Sequence, residues 1–177
     1  MGKYRTILID PPWPVQRVGR FADPKHSRPD ELPYQTMAID QIEKLPVGEL
    51  AAESCHVWLW TTNQFLHDGF HMLQAWGFRY LAPITWVKPS GFGAWWAHRT
   101  QTLLMGYRRP CVFARGRFRA TVLTTGQPRR HSDKPAEAYE LIEAVSESPR
   151  VELFARAHRA GWDVWGDEVR ATVKFAG

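Results

Sequence analysis

Cysteine is scarce in this chain: two in 177 residues, Cys55 and Cys111, both among apolar neighbours. That is too few for a disulfide framework or a cysteine-based metal cluster, so buried thiols in a reducing compartment are expected. No apolar stretch approaches the roughly 20 residues that span a bilayer, so no membrane association is expected. No charged-then-apolar leader precedes the first strand-like segment, which makes a cytoplasmic location the expectation. Repeats, low-complexity tracts and linker-like stretches are missing too, and the length suits one domain over residues 1–177 with no separate target-recognition domain. A Gly-rich turn after the first strand, the usual cradle for a dinucleotide, is also absent.

What is there reads as an ordinary globular protein, 44% apolar and 23% charged. The formal charge is +5, with arginines grouped at Arg108-Arg109, Arg115-Gly116-Arg117 and Arg129-Arg130-His131. A basic surface favours polyanions, although a solvated basic face explains the charge equally well. Nine tryptophans add weight to nucleic acid, because Trp13 and Trp95-Trp96 fall in loop-like segments where bases could stack on them.

Apolar patterning predicts strands over residues 4–10, 57–61, 81–87, 102–107, 111–114, 151–155 and 162–165, and a short one over 121–123. The segments 102–107 and 111–114 read as an antiparallel pair. Helices are predicted from Thr36 through Leu45, from an Asn63 cap to a Gly77 stop, and from Ser132-Asp133 through Ser146. Residues 14–33 and 89–98 read as loops, and loops that long are usually functional. This alternation predicts an α/β sheet with ligands at its carboxyl edge.

The most informative segment is Thr6-Ile7-Leu8-Ile9-Asp10-Pro11-Pro12-Trp13. A buried strand must stop at the prolines, which cannot donate ladder hydrogen bonds. Its end then presents a carboxylate, a rigid backbone carbonyl and a flat ring, the parts needed to grip a planar base by its exocyclic amine. An adenine amine is a poor nucleophile because its lone pair is delocalised into the ring. Acceptors on its two hydrogens, the Asp10 carboxylate and the Pro11 carbonyl, would favour the tetrahedral nitrogen needed to attack a methyl sulfonium. Trp13 and Tyr34 would hold the ring plane once the base has left its stack. The plain alternative is a strand-terminating turn. His67 and His71, at i and i+4, show no third ligand, so no metal is expected.

Asp10-Pro11-Pro12-Trp13 resembles the signature of the adenine-amine methyltransferases that include the catalytic subunit of the messenger-RNA adenosine methyltransferase. The resemblance covers most of the chain. It continues in Glu31-Leu32-Pro33-Tyr34-Gln35-Thr36-Met37, Trp86-Val87-Lys88, Leu104-Met105-Gly106, His131-Ser132-Asp133-Lys134-Pro135, Glu152-Leu153-Phe154-Ala155-Arg156 and Gly161-Trp162-Asp163-Val164-Trp165-Gly166. It implies a Rossmann-like S-adenosylmethionine-dependent methyltransferase domain in permuted order, with the catalytic half before the cofactor half. By similarity, Asp10, Pro11, Pro12 and Trp13 are catalytic and Tyr34 and Lys88 meet the substrate. Asp10, Lys88, Glu152, Arg156, Ala157, His158, Arg159, Asp167 and Glu168 line the cofactor, the last two as ribose binders.

Some positions depart from the family. Gln101 stands where many relatives have glutamate, Asp167 where asparagine is common, and Arg159 where the messenger-RNA enzyme has asparagine. The resemblance implies methylation of adenine N6 in nucleic acid, DNA first and RNA as the alternative, in a bacterial or phage-infected cell, by a monomer or by a homo- or heterodimer. Two other readings stay open: a catalytically silent nucleic-acid-binding subunit, and an enzyme acting on a cytosine or glutamine amine.

Overall fold

The computed structural model describes residues 2–15, 35–92, 96–109, 113, 119–125 and 134–174. Its elements in chain order are β1 (Tyr4–Ile9), α1 (Ile39–Glu43), α2 (Val47–Leu50), β2 (Ala51–Thr61), α3 (Leu66–Ala75), β3 (Arg79–Phe92), β4 (His98–Arg108), β5 (Val122–Thr124), α4 (Ala136–Val145), β6 (Arg150–Leu153) and β7 (Trp162–Trp165). The strands form a seven-stranded sheet in the order β5-β3-β4-β2-β1-β6-β7. Strand β1 runs parallel to β2 and β6, β6 to β7, and β5 to β3. Only β4 runs against them, paired antiparallel with both β2 and β3.

Successive residues of a strand face opposite sides of the sheet, and both sides here are covered. Ile7, Ile9, Val57 and Leu59 pack with Met72 and Leu73 of α3 and with Ile42 and Val47 of the short helices. Leu8, Trp58 and Trp60 face the other way, against Ala138 and Ile142 of α4. A central strand apolar on both faces is what a three-layer α/β domain requires.

Several elements differ from the sequence expectation. The helix from Thr36 is only α1, because Pro46 follows it closely; its start is held by the Gln41 side chain accepting from the Ala38 N–H at 3.0 Å. Asn63 opens a 3₁₀ turn rather than capping α3, and its amide binds the Thr100 hydroxyl at 3.2 Å. Gly77 does end α3, in the left-handed region (φ +80). Strand β3 runs past Lys88-Pro89 to Phe92, and its register slips after Val87, so the missing proline N–H falls in an irregular stretch. The partners of 102–107 are β2 and β3, not 111–114. Of that last segment Phe113 is not in a strand, and the rest lies outside the described residues.

Candidate active site

Strand β1 leads to β2 on one side of the sheet, whereas its other neighbour, β6, leads on to β7 in the opposite direction. That junction is a topological switch point, where the carboxyl ends of strands diverge and leave a crevice. Asp10 directly follows Ile9, which pairs with Leu153, so the acid stands at the mouth of the crevice beside Phe154.

The turn after Asp10 is held by its own backbone. The Trp13 N–H donates to the Pro11 carbonyl at 2.8 Å and the Met37 N–H to the Pro12 carbonyl at 2.9 Å. The Pro11 carbonyl therefore already accepts one hydrogen bond, and one of its two lone pairs remains. The role expected for Trp13 also changes. The residue is only 4% exposed, its ring stacks on Phe65 at 5.3 Å, and its indole N–H donates to the Trp60 carbonyl at 2.9 Å. So placed, Trp13 locks the turn to the core instead of offering a free stacking face. Tyr34 lies outside the described residues.

Asp10 Oδ2 accepts a 2.6 Å hydrogen bond from Lys134 Nζ, with the two side chains 22% and 10% exposed. Oδ1 has no donor among the described residues. Lys134 Nζ also sits 5.4 Å from the Trp60 ring centre, and Lys88 Nζ 5.9 Å from that of Trp86. The two indoles meet edge to face at 5.9 Å and form an aromatic floor beneath two ammonium groups. Burial, and next the Lys134 charge, push the Lys88 ammonium below the usual lysine range. Trp60 Nε1, Thr62 Oγ1 and Gln101 Oε1 are buried and without a hydrogen-bond partner among the described residues. Such atoms are costly unless a ligand or water meets them.

On the β6 side, Glu152 is 7% exposed and accepts a 2.7 Å hydrogen bond from the Tyr139 hydroxyl. Burial, with a further push from the Asp10 charge, raises its carboxyl to about 7, while Tyr139, Arg159 and Lys134 pull the other way. Next along the chain, Phe154 takes a left-handed backbone (φ 63), an uncommon conformation for a bulky residue and one concentrated at functional sites. The loops after β6 and β7 then close on each other. The Ala155 N–H donates to the Trp165 carbonyl at 2.9 Å, and a Cβ on Gly166 would lie 2.4 Å from the Ala155 carbonyl oxygen. Arg156 reaches Glu168 at 3.5 Å across that junction. Ala157, His158, Arg159 and Asp167 are exposed beside it.

These residues suit a nucleoside cofactor carrying an amino-acid tail. Buried Glu152 offers a carboxylate to an ammonium, Asp167 and Glu168 offer acceptors to ribose hydroxyls, and the Gly166 junction lets backbone approach closely. Four residues escaped the sequence reading of the site. Lys134 was visible in a quoted motif but read as a helix opening. Trp86 likewise stood in a quoted motif without a role, Trp60 and Tyr139 were given none beyond their strand and helix, and only the sheet order brings them to the crevice.

The other candidate clusters fall elsewhere. Arg108 donates to the Gly48 and Trp76 carbonyls, and Arg109 pairs with Glu53, at the edge of the sheet opposite Asp10. The remaining arginine clusters lie outside the described residues. His71 pairs with Glu43 at 3.2 Å, and no metal-ligating group of three forms among the described residues.

A mostly parallel sheet covered on both faces, with an acid-Pro-Pro-Trp turn at its switch point and the strands on the far side of that point, β6 and β7, last in the chain, defines a Rossmann-like α/β domain of permuted order. The MT-A70 family profile matches residues 4–168, and the chain belongs to that family. It is 32% identical over 96% of its length to a putative N(6)-adenosine-methyltransferase MT-A70-like protein of Medicago truncatula. It is 28% identical, again over 96%, to the human N(6)-adenosine-methyltransferase catalytic subunit METTL3. The chain spans only 27% and 29% of those two proteins. Against the type II methyltransferase M.MunI of a Mycoplasma species it is 26% identical over 94% of its own length and 78% of the relative's.

Proposed function

We propose that the chain transfers a methyl group from S-adenosylmethionine to the N6 amine of adenine in nucleic acid. The observation that carries this reading is the Asp10 carboxylate, turned into the switch-point crevice and tethered at Oδ2 by Lys134, with no donor to Oδ1 among the described residues. Bound S-adenosylmethionine supplies an electrophilic methyl on a positively charged sulfur. Asp10 Oδ1 and the remaining lone pair of the Pro11 carbonyl accept hydrogen bonds from the amine, favour a tetrahedral nitrogen and stabilise the positive charge that grows on it. Lys134 holds the Asp10 carboxylate in one orientation, which lowers the reorganisation required during reaction. The Trp60–Trp86 floor and Lys88 wall the pocket, and the unpartnered Gln101 and Thr62 oxygens offer acceptors to a polar ring edge. Tyr34, outside the described residues, is assigned to the base by resemblance alone. On the cofactor side, Glu152 takes the ammonium, Asp167 and Glu168 the ribose, and Arg156, Ala157 and His158 line the wall. DNA is the polymer we put first, because M.MunI, a type II methyltransferase, is matched along 78% of its own length.

Tritium transfer from labelled cofactor to DNA and RNA oligonucleotides tests this directly, followed by nucleoside mass spectrometry of the products. N6-methyladenine in DNA with the wild type, and its loss with Asp10→Ala, is the expected result. Equal transfer by the two proteins would remove Asp10 from the mechanism. Binding of oligonucleotide without any cofactor binding would favour the silent-subunit reading.

A further inference from the structure

Arg159 is grouped by resemblance with residues that touch the cofactor, but its own contact points elsewhere. Its guanidinium carbon lies 3.7 Å from the centre of the Tyr139 ring, a close cation–π contact. Tyr139 in turn donates its hydroxyl to Glu152 at 2.7 Å. The ring is not free to swing, because Trp162 abuts it edge to face at 5.9 Å and Trp162 is fixed by a 2.7 Å hydrogen bond from its indole to Glu143. A surface cation is thus linked, through one clamped phenol, to a buried carboxylate at the bottom of the crevice.

We propose that Arg159 is a positioning residue: acting through Tyr139, it holds Glu152 oriented and ionised as the acceptor for the cofactor's ammonium group. This rests on the S-adenosylmethionine reading above. The charged and titratable groups around Glu152 come from three parts of the fold. Asp10 at the end of β1 opposes its ionisation. Lys134 and Tyr139, before and within α4, favour it, as does Arg159 after β6. With the Glu152 carboxyl raised to about 7, its ionised fraction near neutral pH responds steeply to the loss of any one of them. Arg159 is the member most exposed to solvent-side change, because it reaches the acid from outside the pocket.

The test is calorimetric titration of the full chain with S-adenosylhomocysteine, from about two pH units below neutrality to about two above. It is paired with carbon-13 NMR of the Glu152 carboxyl in the same proteins without ligand. Wild-type affinity should rise with pH as Glu152 ionises. Arg159→Ala should displace both the affinity curve and the NMR titration to higher pH. Binding would then weaken about 3- to 10-fold at neutrality, with the difference closing at the alkaline end. Arg159→Lys, which keeps a cation over the ring, should lie near the wild type. Tyr139→Phe, which deletes the hydrogen bond but keeps the ring under Arg159, should also move both curves to higher pH, and adding Arg159→Ala to it should move them by less than it does in the wild type. An equal loss of affinity at every pH, with an unmoved NMR titration, would overturn the proposal in favour of direct contact. Loss of neither affinity nor titration shift would overturn it outright. A displaced NMR titration in a folded protein that binds no ligand at any pH would overturn the cofactor reading instead, and with it the purpose assigned to Arg159.

Discussion

Replacing Lys134 with methionine should destabilise the protein far more than loss of an ordinary surface lysine. The Lys134–Asp10 pair is 2.6 Å long and its side chains are only 10% and 22% exposed. Removing one member of a fully buried pair costs roughly 3–5 kcal/mol, because the partner's charge stays desolvated, whereas an exposed pair is worth about 0–1 kcal/mol. The residual exposure of Asp10 lets water offset part of that penalty, so the expected loss is about 2 kcal/mol. The double variant Asp10→Asn with Lys134→Met should recover much of it, since no buried charge is left alone and methionine preserves the packing on Trp60. Urea unfolding of wild type, both single variants and the double variant at neutral pH gives the coupling energy. A coupling below about 0.5 kcal/mol would place the pair with solvated surface contacts. The idea that Lys134 pre-orients the acid would then fail.

Three further outcomes follow from the same geometry. Glu152 titrates at about 7 when folded against 4.5 for a free carboxyl, so the folded state binds the extra proton and the associated stability is present below about 4.5 and lost as pH rises through 7. Glu152→Gln keeps an acceptor for Tyr139 and should be more stable than wild type at pH 8 by up to about 3 kcal/mol, with the difference shrinking toward pH 5 in urea melts; a constant difference would contradict the burial argument. Gly166→Ala forces a methyl to within 2.4 Å of the Ala155 carbonyl oxygen. It should cost about 1–3 kcal/mol and weaken S-adenosylhomocysteine binding by calorimetry, and an unchanged affinity would separate that junction from the cofactor site. Trp13→Phe keeps the stack on Phe65 but deletes the hydrogen bond to the Trp60 carbonyl. It should lower stability by about 1 kcal/mol and leave the KM for oligonucleotide unchanged, whereas a raised KM would restore Trp13 as a base platform.

The parts of the fold that sequence revealed are those decided locally. The run Ile7-Leu8-Ile9 is apolar on both faces because both neighbours of β1 are parallel strands and both sides carry helices, so it reads as a buried strand without any tertiary knowledge. Trp162–Trp165 and the Gly77 stop were equally plain. Misreadings came where one local signal competed with another. Pro89 looked like a strand end, but β3 absorbs it at an irregular register next to a long antiparallel partner. Asn63 looked like a cap, but its amide is taken by Thr100 from a strand nearly forty residues on, 37 positions away.

The position of the candidate acid, Asp10, was legible for the same local reason: two prolines can only end the strand that carries it. Its partners were not, because nothing near Asp10 in sequence specifies Lys134, 124 positions away. The two meet because β6 inserts beside β1 and brings α4 across the face that holds Trp60 and Trp86. The same insertion buries Glu152 next to Asp10, and two carboxyls in one crevice cannot both ionise freely unless cations stand near them. Lys134 meets that need from the helix start and Arg159 from the loop beyond β6, so the lysine and the arginine form an electrostatic answer to a problem that the sheet order itself creates. A motif can name the acid, but only topology shows why the acid requires this particular set of cations.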